Sequence, residues 1–190
     1  VVGERTLRAL HTPGHSPGSL SFQLDDGVVL AGDVVTGTGS SWVGLPKGDV
    51  SAYLESLARL EALGARCIGP GHGPTVHDPP ARLRELSTHR LAREAEIVAA
   101  LQAGAETLPE LLARVYPSAP ASLAAFARGS LLAHLHKLMR ELRVVHLGES
   151  EEGLCTSDVT LLPRLVALEP PRAVAKRQGA HEQREAKGRQ

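Results

Sequence analysis

The chain has 190 residues, and lysine plus arginine balance aspartate plus glutamate at 21 each, so no global field draws it to nucleic acid or to a membrane surface. A hydrophobic fraction of 42% is enough for a packed core, while no apolar run approaches the roughly 18 residues of a membrane-crossing helix and no charged-then-apolar leader is recognisable. Cys67 and Cys155, far apart and without metal-ligand spacing, argue against a disulfide scaffold and point to a reducing compartment, the cytoplasm or the mitochondrial matrix.

Residues 1–10 alternate apolar and polar after Gly3 and read as a strand entering the turn His11-Thr12-Pro13-Gly14-His15. The chain opens on Val1 inside this strand pattern, which reads as a true start lying upstream. Residues 19–24 and 28–30 flank Asp25-Asp26-Gly27, a hairpin signal because Asp-Gly accepts the positive φ angles of a tight turn. The second arm carries Asp33 back to the edge that His15 left. Residues 36–49 have loop composition and hold the one tryptophan, Trp42, whose indole either anchors the loop by burial or meets a substrate. Asp49 or Ser51 can cap a helix over 52–63 with Leu54, Leu57, Ala58 and Leu60 on its apolar face and Gly64 as its stop. Residues 66–68 then make a short buried strand ending in Gly69-Pro70-Gly71-His72-Gly73-Pro74.

Around residues 78–80 the texture changes. Pro79 and Pro80 interrupt the chain, and residues 81–101 predict a long helix rich in arginine, glutamate and leucine, ended by Gly104. Thr107, with Glu110 three residues on, predicts a capping box opening a helix over 108–116. Residues 121–142 read as helical with Gly129 as a point of division, and residues 143–147 with 153–156 suggest a small hairpin around an acidic turn. Helices followed by a hairpin form a winged-helix-like pattern. From Pro170 the apolar content collapses, and residues 172–190 carry six basic side chains against Glu182 and Glu185. That is the composition of a disordered basic tail, more often solvated than attached to RNA or acidic lipid.

His15, Asp33 and His72 each stand in or beside a glycine-rich turn, at the end of a run rich in Val, Leu and Ile. A strand carries such a ligand rigidly to the rim of a sheet, and glycine lets the backbone turn there. Imidazole and carboxylate suit zinc, manganese or iron, and an aspartate can bridge two ions. Taken singly, each residue has a plainer role as a cap, a turn former or a solvated side chain. Taken jointly, the three are expected to converge at one edge of the sheet. His134 and His136 lie in a helical pattern, where residues two apart point about 200° away from each other, so they cannot chelate one metal. His11 reads as a strand residue pointing elsewhere, and His77 and His89 as surface or packing residues.

The motifs HTPGHSPGSLSF, LAGDVV and GPGHGP resemble metal motifs of the metallo-β-lactamase-fold hydrolases, and the helical sequence after Asp78 looks like the subgroup around beta-lactamase-like protein 2. The resemblance covers roughly residues 1–147. It implies an α/β fold: residues 1–80 as the C-terminal half of an αββα metallo-β-lactamase sandwich, 81–104 as a long linking helix, 105–169 as a winged-helix-like domain and 170–190 as the tail. It further implies two catalytic metal ions, typically zinc, holding a hydroxide that attacks a phosphodiester or a (thio)ester. Carried over, His15 would ligate the first metal, Asp33 would bridge and His72 would ligate the second. The family's principal motif, H-x-H-x-D-H, belongs upstream of these and is absent, so the chain reads as an N-terminally truncated member expected to lack activity by itself.

Two functions compete. One is metal-dependent hydrolysis of RNA or of a small-molecule (thio)ester. The other is a non-catalytic remnant that binds nucleic acid or a protein through the winged-helix-like module. For the second, Arg128, His134, Lys137, Arg140 and Arg143 can form a basic helix face for phosphate contact, with a solvated face as the plainer reading. Neither reading sets the oligomeric state.

Overall fold

The computed structural model describes residues 5–146 and 165–167. Strands β1 (Leu7–His11), β2 (Leu20–Leu24), β3 (Val28–Thr36) and β4 (Cys67–His72) form one sheet in the order β1-β2-β3-β4. The first two pairings are antiparallel, and β3 with β4 is parallel. Between β3 and β4 runs helix α1 (Val50–Ala62), the crossover that a parallel pair requires. The expected hairpin is present, with Phe22 opposite Leu30, Gln23 opposite Val29 and Gly27 at φ 81°. The second arm is longer than its sequence suggests, because Ala31, Val34 and Val35 are also buried and extend the strand through Asp33 to Thr36.

Asp49 caps α1, its Oδ1 accepting from the Ala52 amide at 3.0 Å. The buried face differs from the expected one: Val50, Tyr53, Ser56, Leu57 and Leu60 point inward, whereas Ala58 is exposed. Ser56 can be buried because its hydroxyl donates to the Pro13 carbonyl at 2.7 Å.

Helix α2 (Pro79–Gln102) starts on the two prolines, with Asp78 as its cap. Its first half supplies Leu83 and Leu86 to a core with the sheet and α1, where Val29, Ala31, Val34, Ile68, Tyr53 and Leu57 meet. Its second half supplies Ile97, Ala100 and Leu101 to another core with α3 (Leu108–Val115), α4 (Ala124–Arg140) and β5 (Val144–His146). One continuous helix of about 36 Å therefore serves both cores. The capping box at α3 is complete, with Thr107 and Glu110 each satisfying the other's backbone amide.

One expectation in the second region is corrected. Gly129 does not divide the helix, because α4 follows a 3-10 turn at Ala121–Leu123 and runs through Gly129, which lies flat against the loop bearing Trp42. Strand β5 pairs antiparallel with β6 (Leu165–Ala167); the expected hairpin arm at residues 153–156 lies outside the described residues, as does the tail from residue 170. Among the described residues no helix is long and apolar enough to cross a membrane.

Candidate metal centre

The turn that bears His15 leaves β1 and is pressed against α1. The Thr12 amide donates to the Ser19 carbonyl at 2.9 Å, and the Asp49 amide, at the cap of α1, donates to the Gly14 carbonyl at 2.9 Å. A Cβ on Gly14 would stand 2.3 Å from Tyr53 Cα, and its φ of 134° lies outside the comfortable range of an L side chain, so both space and conformation require glycine. His11 ends β1 and is held away from this turn's tip by a 2.7 Å contact from Nε2 to the Pro17 carbonyl.

Asp33 is aimed by an irregularity in β3. The parallel register with β4 shifts between Leu30 and Gly32 and again between Gly32 and Thr36. Strict alternation breaks there: Gly32 and Asp33 are both exposed, while Val34 and Val35 are both buried. Such a shift in a ladder re-aims a side chain, and here it turns the Asp33 carboxylate out to the rim. β4 brings His72 to the same rim, with Thr36 opposite it in register and the Gly37 amide donating to its carbonyl at 2.8 Å. The loop from β4 folds back at once, since Ile68 and Val76 exchange two backbone hydrogen bonds of 2.9 Å. Gly71 passes so close to the carboxylate that a Cβ there would lie 2.2 Å from Asp33 Oδ1.

The three side chains meet around the carboxylate. His15 Nε2 is 3.8 Å from Asp33 Oδ2, and His72 Nε2 is 3.4 Å from Asp33 Oδ1. Each imidazole faces a different oxygen, so the donors sort into two pairs that share one carboxylate rather than closing around a single point. In keeping with this, no group of three or more His, Cys, Asp or Glu among the described residues could by itself hold a metal ion. His15 Nδ1 lies 2.8 Å from the Trp42 carbonyl, which can only accept, so Nδ1 carries the proton and Nε2 presents its lone pair to the rim. A carbonyl behind the imidazole is the usual support of a metal-bound histidine. The donor set, two imidazole nitrogens and one carboxylate, fits zinc and also manganese or iron.

Two arginines that do not stand out in the sequence hold the loop after Asp33. Arg82, only 8% exposed, donates to the Thr36 carbonyl at 2.9 Å, the Thr36 hydroxyl at 3.3 Å and the Gly39 carbonyl at 2.5 Å. Arg90, 4% exposed, donates to the Ser40 hydroxyl at 2.9 Å and to the Ser41 carbonyl, and lies 5.5 Å from the centre of the Tyr53 ring. A signal was present in the sequence: Arg82 and Arg90 fall on the helix face set by Leu83, Leu86 and Ile97, where a charge must find partners inside.

The basic face expected on α4 is corrected at two positions. His134 is fully buried, and Lys137 is 6% exposed, its ammonium 2.6 Å from Glu94 and 2.9 Å from Glu141. They point inward because the apolar stripe of Leu131, Leu135 and Leu138 lies on the same side. Arg140 pairs with Asp49 at 3.0 Å and Arg143 with Glu94, while Arg128 is half-buried.

Residues 1–72 match the family model described as Metallo-beta-lactamase superfamily, and residues 107–153 match the one described as Beta-lactamase associated winged helix domain. The chain is 30% identical over 187 residues to the lactamase-like protein adaB of Aspergillus niger, covering 90% of this chain and 55% of that protein. It is 33% identical over 124 residues to the atrochrysone carboxyl ACP thioesterase of Aspergillus chevalieri, covering 60% of this chain and 39% of the relative. It is 30% identical over 143 residues to the beta-lactamase-like protein 2 homolog of Caenorhabditis elegans, covering 74% and 47%. Among solved structures, a metallo-beta-lactamase family protein of Thermus thermophilus superposes with a TM-score of 0.69 at 33% identity, over 85% of this chain and 49% of that one. The chain spans about half the length of the curated relatives it matches.

Proposed function

For a chain that belongs to the metallo-beta-lactamase superfamily and carries a beta-lactamase associated winged helix domain, we propose metal-dependent hydrolysis, with His15, Asp33 and His72 as part of a two-cation centre. The observation that carries this reading is the Asp33 carboxylate standing between two imidazole Nε2 atoms, one on each oxygen. Zinc held there would lower the pKa of a water towards neutrality and polarise the bond to be cleaved. The chain's own part is orientation. Asp33 fixes the spacing of the two positions, the Trp42 carbonyl holds the His15 tautomer, and the Arg82 guanidinium holds the strand end that carries Asp33.

A hydrolytic zinc takes about three firm protein ligands, so three donors shared between two positions need further ligands to complete them. The 190 residues alone are therefore expected to bind zinc weakly and to turn nothing over. As substrate we place a (thio)ester ahead of an RNA phosphodiester. A relative bears the name thioesterase, and of the basic side chains that would meet RNA, His134 and Lys137 are buried and Arg140 and Arg143 are ion-paired. The test measures zinc content and hydrolysis of an acyl-thioester and an RNA oligonucleotide, for this chain and for a fusion behind a segment bearing H-x-H-x-D-H. Uptake and thioester turnover should appear in the fusion and vanish with His15→Ala, Asp33→Ala or His72→Ala. Turnover that survives all three substitutions would leave the non-catalytic binding module as the better reading.

A further inference from the structure

We infer that Trp42 and Phe126 form a positioning device through which helix α4, in the second region of the chain, sets the orientation of His15. The inference rests on the reading of His15 as a metal ligand only for its consequence; the contacts themselves stand apart from that reading. Trp42 acts at both ends of the link. Its backbone carbonyl accepts a hydrogen bond from His15 Nδ1 at 2.8 Å, and its indole Nε1 donates to the Phe126 carbonyl of α4 at 3.1 Å. The Phe126 ring meets the indole edge-to-face, with centroids 5.4 Å apart and planes at 81°. A second strut runs alongside, since the Leu45 amide donates to the Gly129 carbonyl at 3.1 Å. Gly129 is what lets the two approach, because a Cβ there would lie 3.1 Å from Trp42 Cζ2 and 3.4 Å from the Leu45 carbonyl.

The chemistry follows from the histidine tautomers. In water a neutral imidazole exchanges its proton between the two nitrogens, and only the Nδ1–H form leaves the Nε2 lone pair free to ligate a cation beside Asp33. The carbonyl that selects this form belongs to a loop residue outside any strand, held on one side by Arg90 at the neighbouring Ser41 carbonyl and on the other by α4, which grips the Trp42 indole itself. Phe126 is 52% exposed and adds little to either core, so its contact with Trp42 is not explained by general stability. Trp42 thus touches the ligand without being one. The helical region acts on the metal rim by holding the carbonyl behind the first ligand.

The experiment uses the full 190-residue chain without added metal, at an alkaline pH where imidazoles are neutral, and reads the His15 tautomer from long-range nitrogen–proton NMR correlations. The native chain should show the Nδ1–H form, and Phe126→Ala, Trp42→Phe and Gly129→Ala should each shift the population towards Nε2–H. Phe126→Ala removes an exposed ring, so it should leave the melting temperature close to native. Zinc affinity, measured by competition with a chromophoric chelator, should fall about tenfold in parallel, the lower end of what loss of support behind a metal-bound histidine costs. A native chain already in the Nε2–H form, or a tautomer population unmoved in all three variants, overturns the inference. A tautomer shift in a chain whose zinc affinity is indifferent to His15→Ala upholds the positioning link and refutes the metal reading instead.

Discussion

His134 shows how one buried side chain can set the acid sensitivity of the whole molecule. Among the described residues neither ring nitrogen has a hydrogen-bond partner, and burial first, then the neighbouring Arg90 and Lys137 charges, pushes its pKa down to about 3. The unfolded chain takes up this proton near the ordinary value of about 6.5, and the folded chain only near about 3. Above pH 6.5 the group costs nothing through ionisation. As pH falls from there towards 3, stability drops by up to about 1.4 kcal/mol per pH unit. His134→Leu should therefore flatten the fall of the urea midpoint between those limits, and midpoints that fall in parallel for both chains would contradict the assignment. Gly71 makes a second case, where the smallest change reaches both the site and the strand beneath it. A methyl there would stand 2.2 Å from Asp33 Oδ1 and 2.8 Å from the Gly32 backbone carbon, so Gly71→Ala should abolish what zinc uptake the chain has and also lower its melting temperature. Neither effect is visible in the sequence, because each depends on which side of an element the residue falls, and for Asp33 that is decided by a register shift in the ladder.

Among the elements, those written by local chemistry are legible in the sequence and those written by tertiary contact are not. The α3 capping box follows from Thr107 and Glu110 at a spacing of three, and the start of α2 from Asp78 and two prolines. The burial of Tyr53 and Ser56 on α1 could not be read off, since it depends on the Gly14 turn packing there and on the Pro13 carbonyl accepting the serine hydroxyl. The basic residues in and just after α4 read most plainly as a solvated face, yet Lys137 and Arg143 both reach Glu94 of α2, which is 3% exposed. Removing one partner of a buried pair strands the other, at about 3 kcal/mol or more. Glu94→Ala is expected to cost about 3 kcal/mol, the lower end, because Glu141 still reaches Lys137 at 2.9 Å. Chemical denaturation of that variant should show the loss, and a cost under about 1 kcal/mol, as for a surface pair, would mean that the ammonium and carboxylate are solvated after all.

At the scale of the whole molecule the sheet has two apolar faces, and the described residues cover one of them. Ser21, Val29, Ala31 and Ile68 look inward to α1 and α2 and are buried. On the opposite face Leu20, Phe22 and Leu30 are 45%, 37% and 44% exposed, and Phe22 stands directly across from Leu30 in the ladder. An antiparallel sheet meant for solvent on one side alternates apolar with polar residues, whereas apolar side chains on both faces mark a layer packed on both sides. The αββα reading of the sequence anticipates such a face, but which strand positions compose it becomes visible only through the pairing of β1, β2 and β3. Water in contact with this patch is costly, roughly 25 cal/mol for each Å² of apolar surface left uncovered, and association of two chains through it would recover part of that. The 190-residue chain is therefore expected to self-associate at micromolar concentration and to bind a hydrophobic dye. Phe22→Glu with Leu20→Glu should return it to a monomer in sedimentation velocity without unfolding it, because neither side chain belongs to the buried cores. A native chain that sediments as a monomer and leaves the dye dark would show that this face is covered in solution, and the segment covering it should then be protected from hydrogen exchange together with β2.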